Sequence, residues 1–293
     1  MNFSAIYQQA GSGKQAAILL LLILFGTSLS ASISLFILTP SLIPEPVRYL
    51  QINQFVAAIC TFLLPALAAS YLFSRYTKAY LSIRRTSIGS VLLVIGSMLA
   101  ILPTIQLLGL LNQQIVLPEI FKPFEAIHQA QEALMESITK QFFASNTPMD
   151  FVINIFIIAI TASITEELFF RGAVQRILGR NFTNHHTIIW LSAFIFSSFH
   201  LQFYGLIPRM LLGAYFGYLL YWSHSIWLPI IAHFVNNAMG VWVISNPAIC
   251  KDTILAEESS LTELWIPALI GSMLFGLFVL IIRKQCTKEF VTP

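Results

Sequence analysis

Charge is what this sequence has least of. Of its 293 residues, 10% are Asp, Glu, Lys or Arg, where a soluble domain carries roughly a quarter. That scarcity excludes an ordinary soluble enzyme, and a net charge of +3 gives no broad basic surface for nucleic acid. Cysteine is nearly absent. Cys60, Cys250 and Cys286 are scattered and odd in number, which excludes a disulfide framework and a CxxC metal site. The chain has no internal repeat and no low-complexity segment. It also lacks a serine in a GxSG-like turn and an HExxH motif, and no aspartate lies in an apolar run. Serine-nucleophile, HExxH-type zinc and paired-aspartate hydrolysis therefore have no residues to run on.

Apolar residues are abundant instead, at 57% of the chain with a mean hydropathy of +0.77. A run of about 20 such residues crosses a bilayer as a helix, because lipid forces every backbone N–H and C=O to bond within the segment. Such runs fall at about 15–38, 52–74, 87–111, 151–178, 187–203, 206–222, 225–244 and 264–283. The expected fold is all-α, a polytopic membrane protein of about eight transmembrane helices with an intramembrane site on the later ones. GTSLSAS after the first run resembles a signal-peptide cleavage region, but the apolar run resumes with ISLFILT and a retained helix is expected. Residues 1–150 read as scaffold helices plus an outer segment, 151–244 as the working helices, and 245–293 as an outer loop, the last span and a tail. Within the first part, PFEAIHQAQEALMESITKQFF spaces Phe124, Ile127, Leu134, Ile138 and Phe142 near the helical period. That pattern predicts an amphipathic helix on the outer interface.

Basic residues orient the chain. The connection RYTKAYLSIRR holds Arg75, Lys78, Arg84 and Arg85. Eight spans with both termini inside place these in the cytoplasm with Lys14, Arg171, Arg176, Arg180, Arg283, Lys284 and Lys288, leaving Arg48, Lys122, Lys140, Arg209 and Lys251 outside. Most loop acids, Glu119, Glu125, Glu132, Glu136, Glu257, Glu258 and Glu263, also fall outside. The expected location is a bacterial cell membrane with cytoplasmic termini.

The unusual polar groups gather between residues 163 and 240. In SITEELFFRGAVQR, Glu166, Glu167 and Arg171 follow an apolar run, and each charge at bilayer depth costs about 2.5–3.5 kcal/mol on insertion scales. At 100° per residue, Glu167 and Arg171 lie about 40° apart in the favourable acid-first order. Glu166 points about 140° away from Arg171 and lacks that partner. In AFIFSSFH, Phe196 and His200 stand at i, i+4, as do His233 and Asn237 in IIAHFVNNAMG, with Asn236 the close competitor. A carboxylate, two imidazoles and an amide on neighbouring helices suit hydrolysis of a peptide bond. A desolvated carboxyl holds a proton firmly enough to take one from water near neutral pH, and imidazole or amide N–H groups stabilise an oxyanion. Gly213 and Gly217 form a GxxxG of close helix packing, and Arg209 is expected to snorkel to the outer interface, with a role holding a substrate carboxylate as the alternative.

EELFFR, FSSFH and HFVNN, in that order on successive membrane helices, resemble the EExxxR, FxxxH and HxxxN motifs of the CAAX-protease and bacteriocin-processing (CPBP, or Abi) family of intramembrane proteases, which includes the prenyl-protein endopeptidases. The resemblance implies Glu166 as the water-activating base assisted by His200, an oxyanion site of His233 and Asn237, and a structural Glu167–Arg171 pair. It implies a peptide or membrane-protein substrate, in one branch a lipidated C-terminal tail reached from the cytoplasm. A zinc ion on Glu166, His200 and His233 is one reading of the set, and metal-free glutamate catalysis is the preferred one. The family's other name leaves a non-catalytic alternative, bacteriocin self-immunity or a membrane scaffold.

Overall fold

A computed structural model describes residues 4–38, 42–43, 45–115, 120, 122–145, 147–251, 253 and 259–291. Glu119, Glu257 and Glu258 lie outside them, as do the side chains of Lys122, Phe124, Glu125 and Lys288. The chain is all-α, a polytopic membrane protein. Among the described residues, seven helices are long and apolar enough to cross a membrane. In chain order they are α1 (Ser12–Phe36), α2 (Pro46–Phe73), α3 (Ile88–Gln113), α5 (Pro148–Leu178), α7 (Leu206–Ser223, entered through a turn at Phe203–Gly205), α8 (Trp227–Ser245) and α9 (Leu261–Val291). Between them lie α4 (Lys122–Phe142) and the short α6 (His185–Ser198).

α6 is where the expected eighth span differs. The run 187–203 reads as one crossing, yet the helix stops after 14 residues, about 21 Å at 1.5 Å per residue. The chain then breaks at Leu201, whose φ of 53° is the left-handed region that a helix of L-residues cannot continue through. α6 pairs antiparallel with α7. His185 stacks on Tyr221, His186 Nδ1 meets Tyr218 Oη at 2.5 Å, and Phe196 and Ala193 face Gly213. A Cβ on Gly213 would stand 3.0 Å from Phe196, and one on Gly217 2.9 Å from Ile189, so the GxxxG makes the close helix contact it predicts. The α6–α7 turn reaches the far end of α3, where Asn112 Nδ2 donates to the Phe203 carbonyl at 2.9 Å. The hairpin thus carries the chain most of the way across and back.

One face of the bundle gathers both ends of the chain. There Ser12 bonds Asn181, Arg176 donates to Ala79 O, Ser225 donates to Arg84 O, and Gln285 donates to Ser87 Oγ. The opposite face holds α4, the α6–α7 turn, and a network in which Arg48 of α2 meets Asp150 of α5 at 2.8 Å. Gln51 Nε2 extends this network to Asn154 Oδ1 at 2.9 Å. α4 forms as its spacing predicts. Phe142 is buried and Ile138 half-buried, while Ile127 and Leu134 face outward, the arrangement of a helix lying along an interface.

Two packed regions fix the middle of the bundle. In the first, Leu19 and Ile23 of α1 and Ala66, Ala69 and Phe73 of α2 close on Leu168, Phe169, Phe170 and Ala173 of α5. In the second, Val94 and Met98 of α3 and Ile282 of α9 close on Phe216 and Leu219 of α7 and on Leu228 and Ala232 of α8. α9 lies along α3, with Thr104 bonded to both Ala268 O and Ser272 at 2.9 Å. Lipid offers little hydrophobic drive between helices, so such interfaces depend on close packing and hydrogen bonds of this kind. The outer sides of α1 and α9 carry rows of exposed Leu, Ile, Met and Phe, which face the hydrocarbon.

Candidate active site

α5 is not a plain α-helix. Two π-helical stretches, Ile155–Thr161 and Leu168–Val174, flank the six-residue α-helical segment Ala162–Glu167. Such wide turns cluster at functional positions, because they shift side chains off the regular 3.6-residue rows. The two glutamates sit where the helix changes step, about 18 Å along the axis from Leu178.

Glu167 and Arg171 form the buried pair that their spacing predicts. Arg171 Nη1 donates to Glu167 Oε1 at 3.0 Å, and Nε lies 3.0 Å from Oε2. The two side chains are 0% and 1% exposed. The guanidinium also donates from Nη2 to the Gly213 carbonyl at 2.9 Å and is held between the rings of Phe196 and Phe216. Charge is thereby matched within one helix, and the planar face is covered by aromatic rings.

The pair has a third member. His233 Nδ1 stands 2.9 Å from Glu167 Oε1, with its ring stacked on Phe216 and set edge-on to Phe196. Donation of Nδ1–H to that carboxylate sets the ring and leaves Nε2 as the nitrogen facing away from it. Nε2 points to Glu166, whose Oε2 is 4.0 Å away and is buried without a hydrogen-bond partner. Two successive carboxylates thus address the two nitrogens of one imidazole. Periodicity pairs Glu167 with Arg171 and isolates Glu166, and both features stand in the structure. That His233 joins the two glutamates is a tertiary contact between α5 and α8, and nothing in the spacing signals it.

His200 lies just past the end of α6, half-buried, its Nδ1 3.1 Å from the Phe196 carbonyl one turn back. Its ring meets the Phe196 ring at 5.2 Å, and His233 meets the same ring at 5.8 Å. The two imidazoles therefore flank one phenylalanine. Asn237 stands one turn beyond His233 and donates from Nδ2 to the Ile158 carbonyl at 2.9 Å, while its Oδ1 accepts from Asn236. One of its two amide protons is thus engaged with α5 and the other is left over.

A zinc site needs three or four donors within about 2.0–2.2 Å of one point. Among the described residues no group of three or more His, Cys, Asp or Glu side chains is arranged to hold a metal ion.

Arg209 stands at the α6–α7 turn on the face opposite the termini, with its side chain folded inward rather than snorkelling outward. It is half-buried, and its Nη2 donates to Gln202 Oε1 at 2.7 Å. The guanidinium lies against the α6–α7 turn, where a Cβ on Gly205 would fall 2.2 Å from Nη2. Glycine at 205 leaves the space that Arg209 fills. Arg209 interacts electrostatically with Glu166 and with Glu132 of α4, so it belongs beside the site. The sequence signal for it is an arginine one turn into a membrane helix, four residues after a glycine.

On the face opposite the termini, a cavity of about 970 Å³ lies between α4, the α6–α7 turn and the end of α8. On the termini face a second hollow, about 560 Å³, runs in past Arg176, His185 and His224 to Gln175 and Arg171.

Residues 148–239, from the start of α5 to the middle of α8, match a family model described as type II CAAX prenyl endopeptidase Rce1-like. The matched segment contains Glu166, Glu167, Arg171, His200, His233 and Asn237, and it agrees with the family that the motifs resemble. No curated protein and no solved structure matches the chain.

Proposed function

We infer that this multi-pass membrane protein, with its Rce1-like segment, is an intramembrane endopeptidase that hydrolyses a peptide bond with water activated by Glu166. One observation carries the reading. A buried carboxylate oxygen has no hydrogen bond and faces an imidazole nitrogen at 4.0 Å, too far for a direct bond and suited to a water held between them. A structural glutamate would be paired, as Glu167 is.

In the proposed reaction the Glu166 carboxylate takes a proton from that water as its oxygen attacks the peptide carbonyl carbon. His200 assists by orienting the water. The carbonyl oxygen becomes an oxyanion, stabilised by His233 and by the spare N–H of Asn237. His233 donates to it from Nε2 while its Nδ1 donates to the Glu167 carboxylate. Collapse of the tetrahedral intermediate breaks the C–N bond, and the leaving amine takes the proton held by Glu166. Glu167 and Arg171 touch no reacting atom; they set the His233 ring. The step is written with glutamate alone as the base, the reading preferred from the residue set.

The substrate is a peptide or membrane-protein segment, with a lipidated C-terminal tail as one form of it. Basic-residue bias supports cytoplasmic termini and a cell-membrane location. The test compares newly exposed peptide termini in cells carrying wild type or Glu166→Gln at matched expression. Termini that appear with wild type and are lost with the variant support the reading and identify the substrate. Identical termini with an unchanged phenotype overturn it and leave immunity or scaffolding. With purified protein, Glu166→Gln is expected to lower the cleavage rate about 10²–10⁴-fold. Activity is expected to survive removal of divalent metal by a chelator, and its loss, restored by zinc, would count against the metal-free step.

A further inference from the structure

The turn between α6 and α7 offers hydrogen-bond donors suited to a carboxylate, and a carboxylate of this chain already sits on them. Glu132 of α4 accepts from Gln202 Nε2 at 3.2 Å on one oxygen and from the Tyr204 backbone N–H at 3.3 Å on the other. Arg209 engages Gln202 from the opposite side, holding its Oε1 and so turning its Nε2 towards Glu132. The second terminal nitrogen of Arg209, Nη1, is buried with no hydrogen-bond partner. Both Glu132 and Glu166 act on the guanidinium electrostatically, Glu132 first. Glu132, Gln202 and Tyr204 all line the 970 Å³ cavity.

A buried guanidinium N–H without an acceptor is costly to maintain, and an arginine fork is matched in shape by a planar carboxylate. Glu132 satisfies the amide and backbone donors from a helix that lies along the interface, and it leaves Nη1 unmet. Its carboxylate has the position of a stand-in.

We propose that Gln202, the Tyr204 N–H and Arg209 form a carboxylate-recognition site for the peptide being cleaved, and that Glu132 occupies it until substrate arrives. The inference rests on the endopeptidase reading of Glu166. The recognised group is a carboxylate near the scissile bond, from the chain end or from an Asp or Glu side chain. It takes the two donors that Glu132 releases and adds Nη1, which fixes the substrate relative to Glu166. Arg209 is then a specificity residue, and Glu132 competes with the substrate.

The test is binding to the full-length Glu166→Gln protein, solubilised and immobilised, which separates recognition from cleavage. One pool of random apolar hexapeptides is offered in equal amounts as C-terminal acids and C-terminal amides. A second pool is all amides, with one position split between Asp and Asn. Retained peptides are counted by mass spectrometry. Preference of about tenfold for acids in the first pool assigns the chain end, and for Asp in the second assigns a side chain. Adding Glu132→Gln is expected to raise retention of the preferred form several-fold, and Arg209→Gln to erase the preference. Equal retention of charged and neutral forms in both pools, or retention of neither, overturns the site. Cleavage by the Glu166→Gln protein would instead overturn the endopeptidase reading, and the binding preference would still be measured.

Discussion

At the scale of single residues, the firmest consequence concerns Glu167 and Arg171. Each neutralises the other in a place without water, so removing one leaves a buried charge unmatched. Glu167→Gln is expected to destabilise the protein by about 3–5 kcal/mol, read from thermal unfolding in detergent. Glu167→Gln with Arg171→Met is expected to cost less than the sum of the two single changes, the signature of a coupled pair. This pair was legible in the sequence because i, i+4 neighbours on one helix need no tertiary information. His233 as its third member was not, since 66 positions separate it from Glu167. Nor was the bond from Asn237 to the Ile158 carbonyl, an acceptor inside a π-helical stretch where the hydrogen-bond ladder changes step. The inward fold of Arg209 was hidden for a related reason. An arginine near a helix end ordinarily reaches outward, and only the folded turn shows the space above Gly205. Gly205→Ala puts a methyl group into that space and is expected to reproduce the loss of peptide preference predicted for Arg209→Gln, in the same retention measurement.

Among the elements, α5 carries the strongest consequence, because it holds both glutamates and is tied down at its far end by side chains. Thr147 caps the helix. Its Oγ1 accepts from the Asp150 N–H at 3.2 Å and donates to the Asp150 carboxylate at 2.6 Å, which in turn meets Arg48 of α2. Thr147→Ala is expected to cost about 1 kcal/mol and to speed amide exchange over Met149–Phe151, with exchange at Phe169–Ala173 unchanged. Equal acceleration along the whole helix would mean that the cap does not act locally. The existence of α5 was plain from its apolar run. Its two π-helical stretches were not, because a hydropathy pattern averaged over a turn does not register one extra residue. The same averaging joined α6 to the turn after it. Leu201 looks apolar enough to continue a span, and its left-handed backbone is visible only in the folded chain.

For the whole molecule, the structure sets both ends of the chain on one face, despite the short α6, since the α6–α7 hairpin goes out and returns. Cysteines introduced at Gln9 and Thr287 are expected to react with an impermeant maleimide from the same side of sealed vesicles, and cysteines at Gln113 and Lys251 from the other. The native thiols Cys60, Cys250 and Cys286 are buried, so they add little background. Opposite labelling of Gln9 and Thr287 would remove the hairpin as a return crossing. The hollow on the termini face has a further consequence. It brings solvent space as far as Arg171, while the proposed reaction consumes water on the other side of the same residue. Between the two stand a carboxylate and a guanidinium that cancel, clamped by the Phe196 and Phe216 rings. Where that layer divides the two sides of a membrane, it has a task beyond orienting an imidazole, which is to keep the bundle electrically tight. Arg171→Ala, which opens it, is expected to let protons leak across liposomes loaded with a pH-sensitive dye, whatever its effect on cleavage.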